Sequence, residues 1–205
     1  MEKLIEFLRR RRWARRSLTA ACVALLLVAV GLLGYPLYTN YVHNRLQGKL
    51  GKQLESSALK DAYQRHAVRE GDSLTRIKIP KINVDVVVVQ GTSDSALQAG
   101  SGHYPDTPMP CADGNVAIAG HRTTYGKPFA NIDRLVTGDQ ITLETPVGNC
   151  VYQVSRPPFA VLPTDSWVVA NNPGQHTLTL TSCHPRGSAS QRIIIKATML
   201  SSTVA

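Results

Sequence analysis

Acidic charge is scarce in this chain of 205 residues, and the shortage is confined to one end. Residues 1–52 carry ten Lys and Arg side chains against two Glu, so they hold most of the net charge of +9. Residues 53–205 are nearly neutral, with thirteen basic and twelve acidic side chains. A nucleic-acid-binding domain needs a basic face on the folded domain itself. The charge distribution therefore argues against nucleic acid as a partner.

Repeats, low-complexity tracts and common metal-binding spacings are also lacking. The absence of a CxxC or HxxxH pattern disfavours a metal site built from His103, His121 and Cys183. We expect neither a metal nor a cofactor. The length suits one domain of about 150 residues with an appendage.

The N-terminal end combines an arginine cluster with a long apolar run. "RRRRWARR" precedes an uncharged stretch over 17–42 dominated by Ala, Leu and Val. About 20 apolar residues span a bilayer as a helix, and flanking Arg residues stay cytoplasmic. A cleaved signal peptide would need a small-x-small site, and a lipoprotein cysteine would end the run, whereas Cys22 lies near its start. We predict a cytoplasmic tail (1–16), a single membrane span (17–42) and an extracellular remainder.

The segment over 43–75 is polar. Leu46, Leu50 and Leu54 recur with helical spacing, but they form no strong apolar stripe. We predict a partly helical stalk here, which lifts a domain over 76–205 off the membrane.

From residue 76 onward, short strand patterns alternate with Gly, Pro, Asn and Asp turns. Such regular spacing favours a closed all-β barrel or a sandwich over βαβ units. Short helices are expected near 94–99 and 129–135. The predicted strands lie within 76–91, 115–120, 139–145, 150–156, 176–182 and 192–198.

The four cysteines leave an odd number for the predicted exterior, because Cys22 lies in the apolar run. The exterior permits disulfides, and Cys111 and Cys150 each lie in or beside a turn. If these two pair, Cys183 is a free thiol, and a free extracellular thiol points to reactivity. Sequence does not show pairing geometry, so the bridge stays open at this point.

A nucleophilic cysteine needs a base or ion-pair partner and a group that stabilises the oxyanion. Among the candidate partners, His103, His121 and His184, the last is adjacent to Cys183 and would face the other side of a continuing strand. His121 follows the strand over 115–120. It meets Cys183 if both strands end at the same rim of a barrel.

Arg192 is the candidate for oxyanion or peptide-carbonyl binding. It opens the last predicted strand nine residues after Cys183, and "RGSASQ" is long enough to turn the chain back antiparallel. Its guanidinium stays charged and presents donors in a fixed fork. Arg186 is the competing candidate, and a solvated strand arginine is the alternative interpretation.

The ordered blocks over 76–198 resemble the sortases, membrane-anchored cysteine transpeptidases of bacterial surfaces. The family's cysteine motif is Thr-Leu-x-Thr-Cys, and this chain has Ser182 where Thr is usual. The "HRTTYG" loop is similar to class E sortases, whose Tyr is associated with Ala at the second position of the sorting signal. The blocks are "RIKIPKINVDVVVVQG", "SGHYPDT", "NVAIAGHRTTYGKPF", "GDQITLET" and "TLTSC" followed by an Arg.

The resemblance implies an eight-stranded β-barrel with His121 as the catalytic histidine, Cys183 as the nucleophile and Arg192 as the family's arginine. It matches Tyr125 and Ser182 to substrate binding. The implied substrates are surface proteins with an LPXTG-like, here LAXTG, signal. Cys183 would cleave the signal between Thr and Gly, and an amine of a peptidoglycan precursor or a pilin would accept the acyl group.

Three alternatives remain open from sequence. A hydrolytic cysteine peptidase or amidase would use the same framework with water as acceptor. A pilin-polymerising sortase would use a pilin lysine, and the lack of an obvious lid motif leans toward wall anchoring. A silent binding module would be expected to lack one of the three site residues, and none is missing.

The resemblance also places the protein in a bacterial cell membrane as a single-pass protein.

Overall fold

The computed structural model describes residues 12–203, which fall into two units, Met1–Tyr38 and Thr39–Ala205. Most of the predicted cytoplasmic tail, residues 1–11, lies outside the described residues. Helix α1 (Arg12–Leu54) runs through the end of the first unit into the second. Its apolar part leaves Leu, Val and Tyr side chains exposed, and the helix is long and apolar enough to cross a membrane by length and composition.

The second unit contains nine strands and two further α-helices. The helices are α2 (Ser57–Gln64) and α3 (Asp94–Ala99). Single 3-10 turns occupy Pro80–Ile82, Ile132–Arg134 and Ser166–Val169. The strands are β1 (Ser73–Ile79), β2 (Val84–Gln90), β3 (Ser101–His103), β4 (Gly114–Gly120), β5 (Gln140–Thr145), β6 (Gly148–Val154), β7 (Phe159–Val161), β8 (His176–His184) and β9 (Gln191–Ser202).

Eight of these strands close into a barrel in the order β1-β2-β3-β4-β8-β9-β6-β5, with β5 pairing back to β1. The long strand β9 makes closure possible, because β6 pairs with its second half and β7 with its first. Strand β7 therefore extends the sheet outside the ring. A closed barrel leaves its ring strands without free edges. The predicted eight-stranded β-barrel is confirmed.

The barrel interior is packed with apolar side chains that are fully buried. The parallel pair β4 and β8 is buried along nearly its whole length. Strands covered on both faces are held rigidly by their neighbours. The loops that follow β4 and β8 therefore begin at rigidly held positions. Representative core side chains are Ile77, Val88, Ile118, Phe129, Leu143, Tyr152, Leu180 and Ile195.

The segment predicted as a stalk packs along the barrel instead of standing free. Leu50 is buried in an apolar cluster with β2 and α3, and Leu46 and Leu54 pack against it. The Gln47 side chain accepts from the Val87 amide (2.7 Å) and donates to the Val87 and Ala99 carbonyls (3.0 and 2.8 Å). The narrow stripe of three leucines is enough to dock the helix on the barrel, because the hydrogen bonds of the Gln47 side chain complete the contact.

Strand prediction succeeded where the pattern is long and missed where it is short. The predicted strand over 76–91 is two strands broken at Asn83, which adopts a left-handed φ of 54°. Strands β3 and β7 have three residues each and carry no detectable alternation. The helix expected near 129–135 is a 3-10 turn at Ile132–Arg134.

Cys111 and Cys150 form a disulfide with their Cα atoms 5.7 Å apart. The bridge joins the loop before β4 to the inner face of β6, where Cys150 is buried. Cys183 is a free cysteine and is partly exposed. Among the described residues outside the predicted membrane span, Cys183 is therefore the one unpaired cysteine, and it is the residue predicted as nucleophile.

Candidate active site

His121 and Cys183 lie level with one another at one rim of the barrel. In the parallel pair, Ala119 is opposite Thr181, and each chain continues two residues to the site residue. Both side chains line a cavity of about 250 Å³. The parallel register of β4 and β8 therefore accounts for the juxtaposition expected from sequence.

Arg192 enters the same cavity from the neighbouring strand. It lies directly opposite Cys183 in the antiparallel β8–β9 pair, and directly opposite residues project on the same face. Its Nη1 donates to the carbonyls of Ala189 and Gln191, both at 3.0 Å. These bonds tie the guanidinium to the turn between the two strands.

His121 is half-buried beneath its own loop, and its ring centroid lies 5.5 Å from that of Tyr125. Burial lowers the pKa of His121 below its ordinary value of 6.5, while the charge of Asp94 acts in the opposite direction. At neutral pH the imidazole is therefore mainly uncharged. In that form it can take a proton from a thiol.

The competing candidates are engaged elsewhere. His103 is buried, with Nδ1 2.9 Å from Gln90 Oε1 and Nε2 2.9 Å from the Pro108 carbonyl oxygen. Desolvation lowers the pKa of His103 to about 4, although the bond to Pro108 opposes this. Arg186 reaches Asn131 Oδ1 at 2.9 Å and is half-exposed. Neither side chain is among the residues that line the cavity of Cys183.

A Cys, a His and an Arg on three strand ends of an eight-stranded barrel suggest a family, and comparison with known proteins decides it. The family profile described as "Sortase domain" matches residues 77–200, more than half of the chain. The chain belongs to the sortase family.

Relatives of two sortase classes match. Sortase D of Bacillus subtilis (strain 168) is 33% identical over 122 residues, which cover 58% of this chain and 60% of that protein. SrtE1 of Streptomyces coelicolor is 33% identical over 145 residues, 63% of this chain and 41% of that protein. The solved structure of a Clostridium perfringens Sortase D5 transpeptidase superimposes with a TM-score of 0.68 at 30% identity, covering 78% of this chain and 99% of that one.

Ser182, which replaces the usual Thr of the sortase motif, uses its hydroxyl to join two strands. The buried Ser182 Oγ donates to the Gly120 carbonyl at 2.7 Å. This bond links the end of β8 to the end of β4, one residue before each reactive side chain. Ser182 also lines the cavity, so it stays a candidate for substrate contact through its remaining surface.

Tyr125, predicted to bind substrate, lies beside His121, and within the described chain the cavity wall does not include it. The tyrosine on the wall of this sortase is Tyr104, whose hydroxyl is 3.0 Å from Thr181 Oγ1. Tyr104 was not predicted from sequence, although its place within the "SGHYPDT" block was an available signal.

A second cavity of about 140 Å³ adjoins the first. The two cavities share Tyr104, Thr181 and Arg192. The outer wall of the second cavity comes from the loop between β7 and β8, including Leu162 and Val168. The two together form a cleft that leads from an apolar loop to the thiol.

Arg122, directly after His121, holds the backbone of Cys183. Its side chain is only 3% exposed, and Nη2 pairs with Asp133 at 3.0 Å. Its Nη1 donates to the Cys183 carbonyl (3.3 Å) and to His184 Nδ1 (2.9 Å). The ring of His184 is thus fixed by Arg122, with Nδ1 as acceptor, and it does not line the cavity.

Proposed function

We propose that this sortase is a membrane-anchored cysteine transpeptidase that acts on LPXTG-like sorting signals, with LAXTG preferred. One observation carries the proposal. The free thiol of Cys183 shares one open cavity with His121 and with Arg192, its cross-strand partner.

The chemistry follows from these three groups. The Cys183 thiolate adds to the Thr carbonyl carbon of the signal, and the Thr–Gly C–N bond breaks. The imidazolium of His121, formed when it takes the thiol proton, gives that proton to the leaving amine. The acyl group remains on Sγ as a thioester. A second amine then attacks the same carbon and releases the thiol.

Arg192 acts on the charge that develops on the carbonyl oxygen, or on the backbone of the bound signal. A guanidinium carries a positive charge and presents its N–H donors in a planar fork. Because the turn carbonyls already hold Nη1, little reorganisation is needed when the substrate enters. A lysine would carry the charge but not the fork.

The shape of the cleft supports an extended peptide. The residues before Thr would run from the thiol past Tyr104 and Thr181 toward Leu162 and Val168. The likeness of the "HRTTYG" loop to class E sortases supports LAXTG as the preferred signal, with Tyr125 and Ser182 proposed as contributors. The acceptor is proposed to be an amine of a peptidoglycan precursor.

Anchoring is part of the proposal. The apolar helix segment over 17–42 would span the bacterial cell membrane once, with the basic tail over 1–16 in the cytoplasm. The barrel would then lie outside the cell. This arrangement agrees with the disulfide, because an oxidising exterior allows Cys111 and Cys150 to pair.

The test uses the full chain in detergent micelles with peptides that contain LAETG or LPETG, each with triglycine as amine. Mass spectrometry should detect peptide cut after Thr and joined to triglycine, faster for LAETG. The product should be absent in Cys183→Ala and strongly reduced in Arg192→Lys. Equal rates for the two peptides would overturn the LAXTG preference. Cleavage without joining would indicate a hydrolase.

A further inference from the structure

The loop after His121 has an unusual backbone. Tyr125, Gly126 and Lys127 adopt positive φ values of 47°, 72° and 42° in succession. Residues other than glycine rarely adopt this conformation, and it persists where the surroundings hold it. Within the loop, Lys127 N donates to the Thr124 carbonyl at 2.9 Å. That bond closes a turn but does not fix the turn against the barrel.

Helix α1 supplies a contact that holds the turn over 125–127 from outside. The ring of His43 lies so close to Gly126 that a methyl group there would come within 2.3–2.7 Å of three ring atoms. The Gly126 amide also donates to Asn40 Oδ1 at 3.3 Å. His43 is 5% exposed, so its ring is enclosed between helix and loop. Only glycine permits this approach.

His43 is near His121 but not on the path of a substrate. The residues that line the cavity of Cys183 do not include it. Burial lowers the pKa of His43 below 6.5, and the charge of His121 lowers it further. In the described chain, the buried Nδ1 of His43 has no hydrogen-bond partner. The ring is therefore held by packing against the loop.

The helix that carries His43 is itself fixed to the barrel. Gln47 binds Val87 and Ala99, and one turn further Leu50 is buried against β2. Gln53 then donates to Asp72 Oδ1 at 2.8 Å and accepts from the Ser73 amide at 3.1 Å. His43 thus lies at the end of a segment whose other contacts are to strands β1 and β2 and helix α3.

We propose that His43 is a positioning residue for His121. Its ring on Gly126 holds the loop over 122–128 in the left-handed turn that orients the imidazole toward Cys183. Through His43, the helix segment over 39–54 then supports the active site and is not a spacer. The inference rests on the proposed function, because it assigns His121 the proton transfer in that reaction.

The first experiment measures kcat and KM of the full chain in micelles with the LAETG peptide and triglycine. His43→Ala should lower kcat by about tenfold or more, since small displacements of a catalytic group are costly, and should leave KM within about twofold. His43→Gln, with a planar side chain of similar length, should recover most of kcat. The exposed neighbour Asn44→Ala is the matched control and should equal the wild type.

A second set of variants separates positioning from general damage. If His43 acts through His121, then His43→Ala should have no further effect on the rate of acylation in a His121→Ala background. The same fold-loss in both backgrounds would overturn the proposal. So would a wild-type kcat in His43→Ala.

Hydrogen exchange tests the contact without any activity. The amides of 122–128, Gly126 above all, should exchange faster in His43→Ala than in Asn44→Ala, while those of β4 and β8 stay unchanged. If the wild type transfers no peptide yet the loop responds to His43, the proposed function fails and the contact stands. Unchanged loop exchange would overturn the positioning role.

Discussion

The position of Cys183 depends on hydrogen bonds made by its neighbours in sequence and space. The Ser182 hydroxyl fastens β8 to β4, and the Arg122 guanidinium holds the Cys183 carbonyl. The thiol itself is left free at the cavity wall. A nucleophile needs this arrangement, since a side chain that is used for structure is unavailable for chemistry.

His103 gives a prediction at the scale of one residue. Its pKa is about 4 in the folded chain and about 6.5 when unfolded, so between these values only the unfolded chain binds the proton. The free energy of unfolding should therefore fall by about 3 kcal/mol as the pH drops from 6.5 to 4.

The check compares urea unfolding of the wild type and His103→Gln across that pH range. The variant should lose this component of the pH dependence and be less stable than the wild type at pH 7. Identical slopes against pH in the two proteins would contradict the assignment of His103 as a buried, neutral residue.

The positions of some side chains at the site could be predicted from sequence, and those of others could not. That Cys183, His121 and Arg192 line one cavity was predictable, because each lies at the end of a recognisable strand. Tyr104 and Arg122 were not, because their roles depend on partners distant in sequence, Thr181 and Asp133. No local pattern distinguishes a buried loop arginine from a solvated one.

Among the elements, the part of helix α1 over 43–54 differs most from its prediction as a stalk. The stripe of Leu46, Leu50 and Leu54 is too narrow to predict burial by itself. The deciding contact is Gln47, whose amide bonds to both backbone groups of Val87 in the manner of a neighbouring strand. Such a bond cannot be read from spacing, because it depends on where β2 lies.

Gln47→Ala should lower the free energy of unfolding by about 2 kcal/mol, because it leaves a backbone amide and two carbonyls without partners. Urea unfolding of the full chain in micelles measures the change. Lys49→Ala, an exposed position on the same helix, should change it by less than about 0.5 kcal/mol. Equal effects of the two substitutions would show that the helix is not docked through Gln47.

On the scale of the whole molecule, the fold was predictable and the details of its closure were not. Regular short strands indicated a barrel or a sandwich, and the resemblance to sortases implied the closed barrel. The ring closes through β9, which accommodates both β6 and β7. The three-residue strands β3 and β7 gave no periodic signal. Strand β3 is fixed by its pairing with β2 and β4, and β7 by its pairing with β9.

The disulfide contributes to the stability of the whole barrel. Cys111 and Cys150 are 39 residues apart, and closing a loop of that size stabilises a fold by about 2–4 kcal/mol. The double variant Cys111→Ala/Cys150→Ala should unfold at lower urea by that amount. Because neither cysteine lines the cavity, it should retain transfer activity at 25 °C. Loss of activity with unchanged stability would contradict this account.

The most direct measurement of the central claim is the intact mass of the full chain after a short incubation with the LAETG peptide and no added amine. We predict a mass increase equal to that of the free peptide that ends at Thr, less one water. Hydroxylamine should remove it, and Cys183→Ala should not acquire it. An unchanged mass in an active preparation, or the same adduct on Cys183→Ala, would contradict the thioester on Cys183.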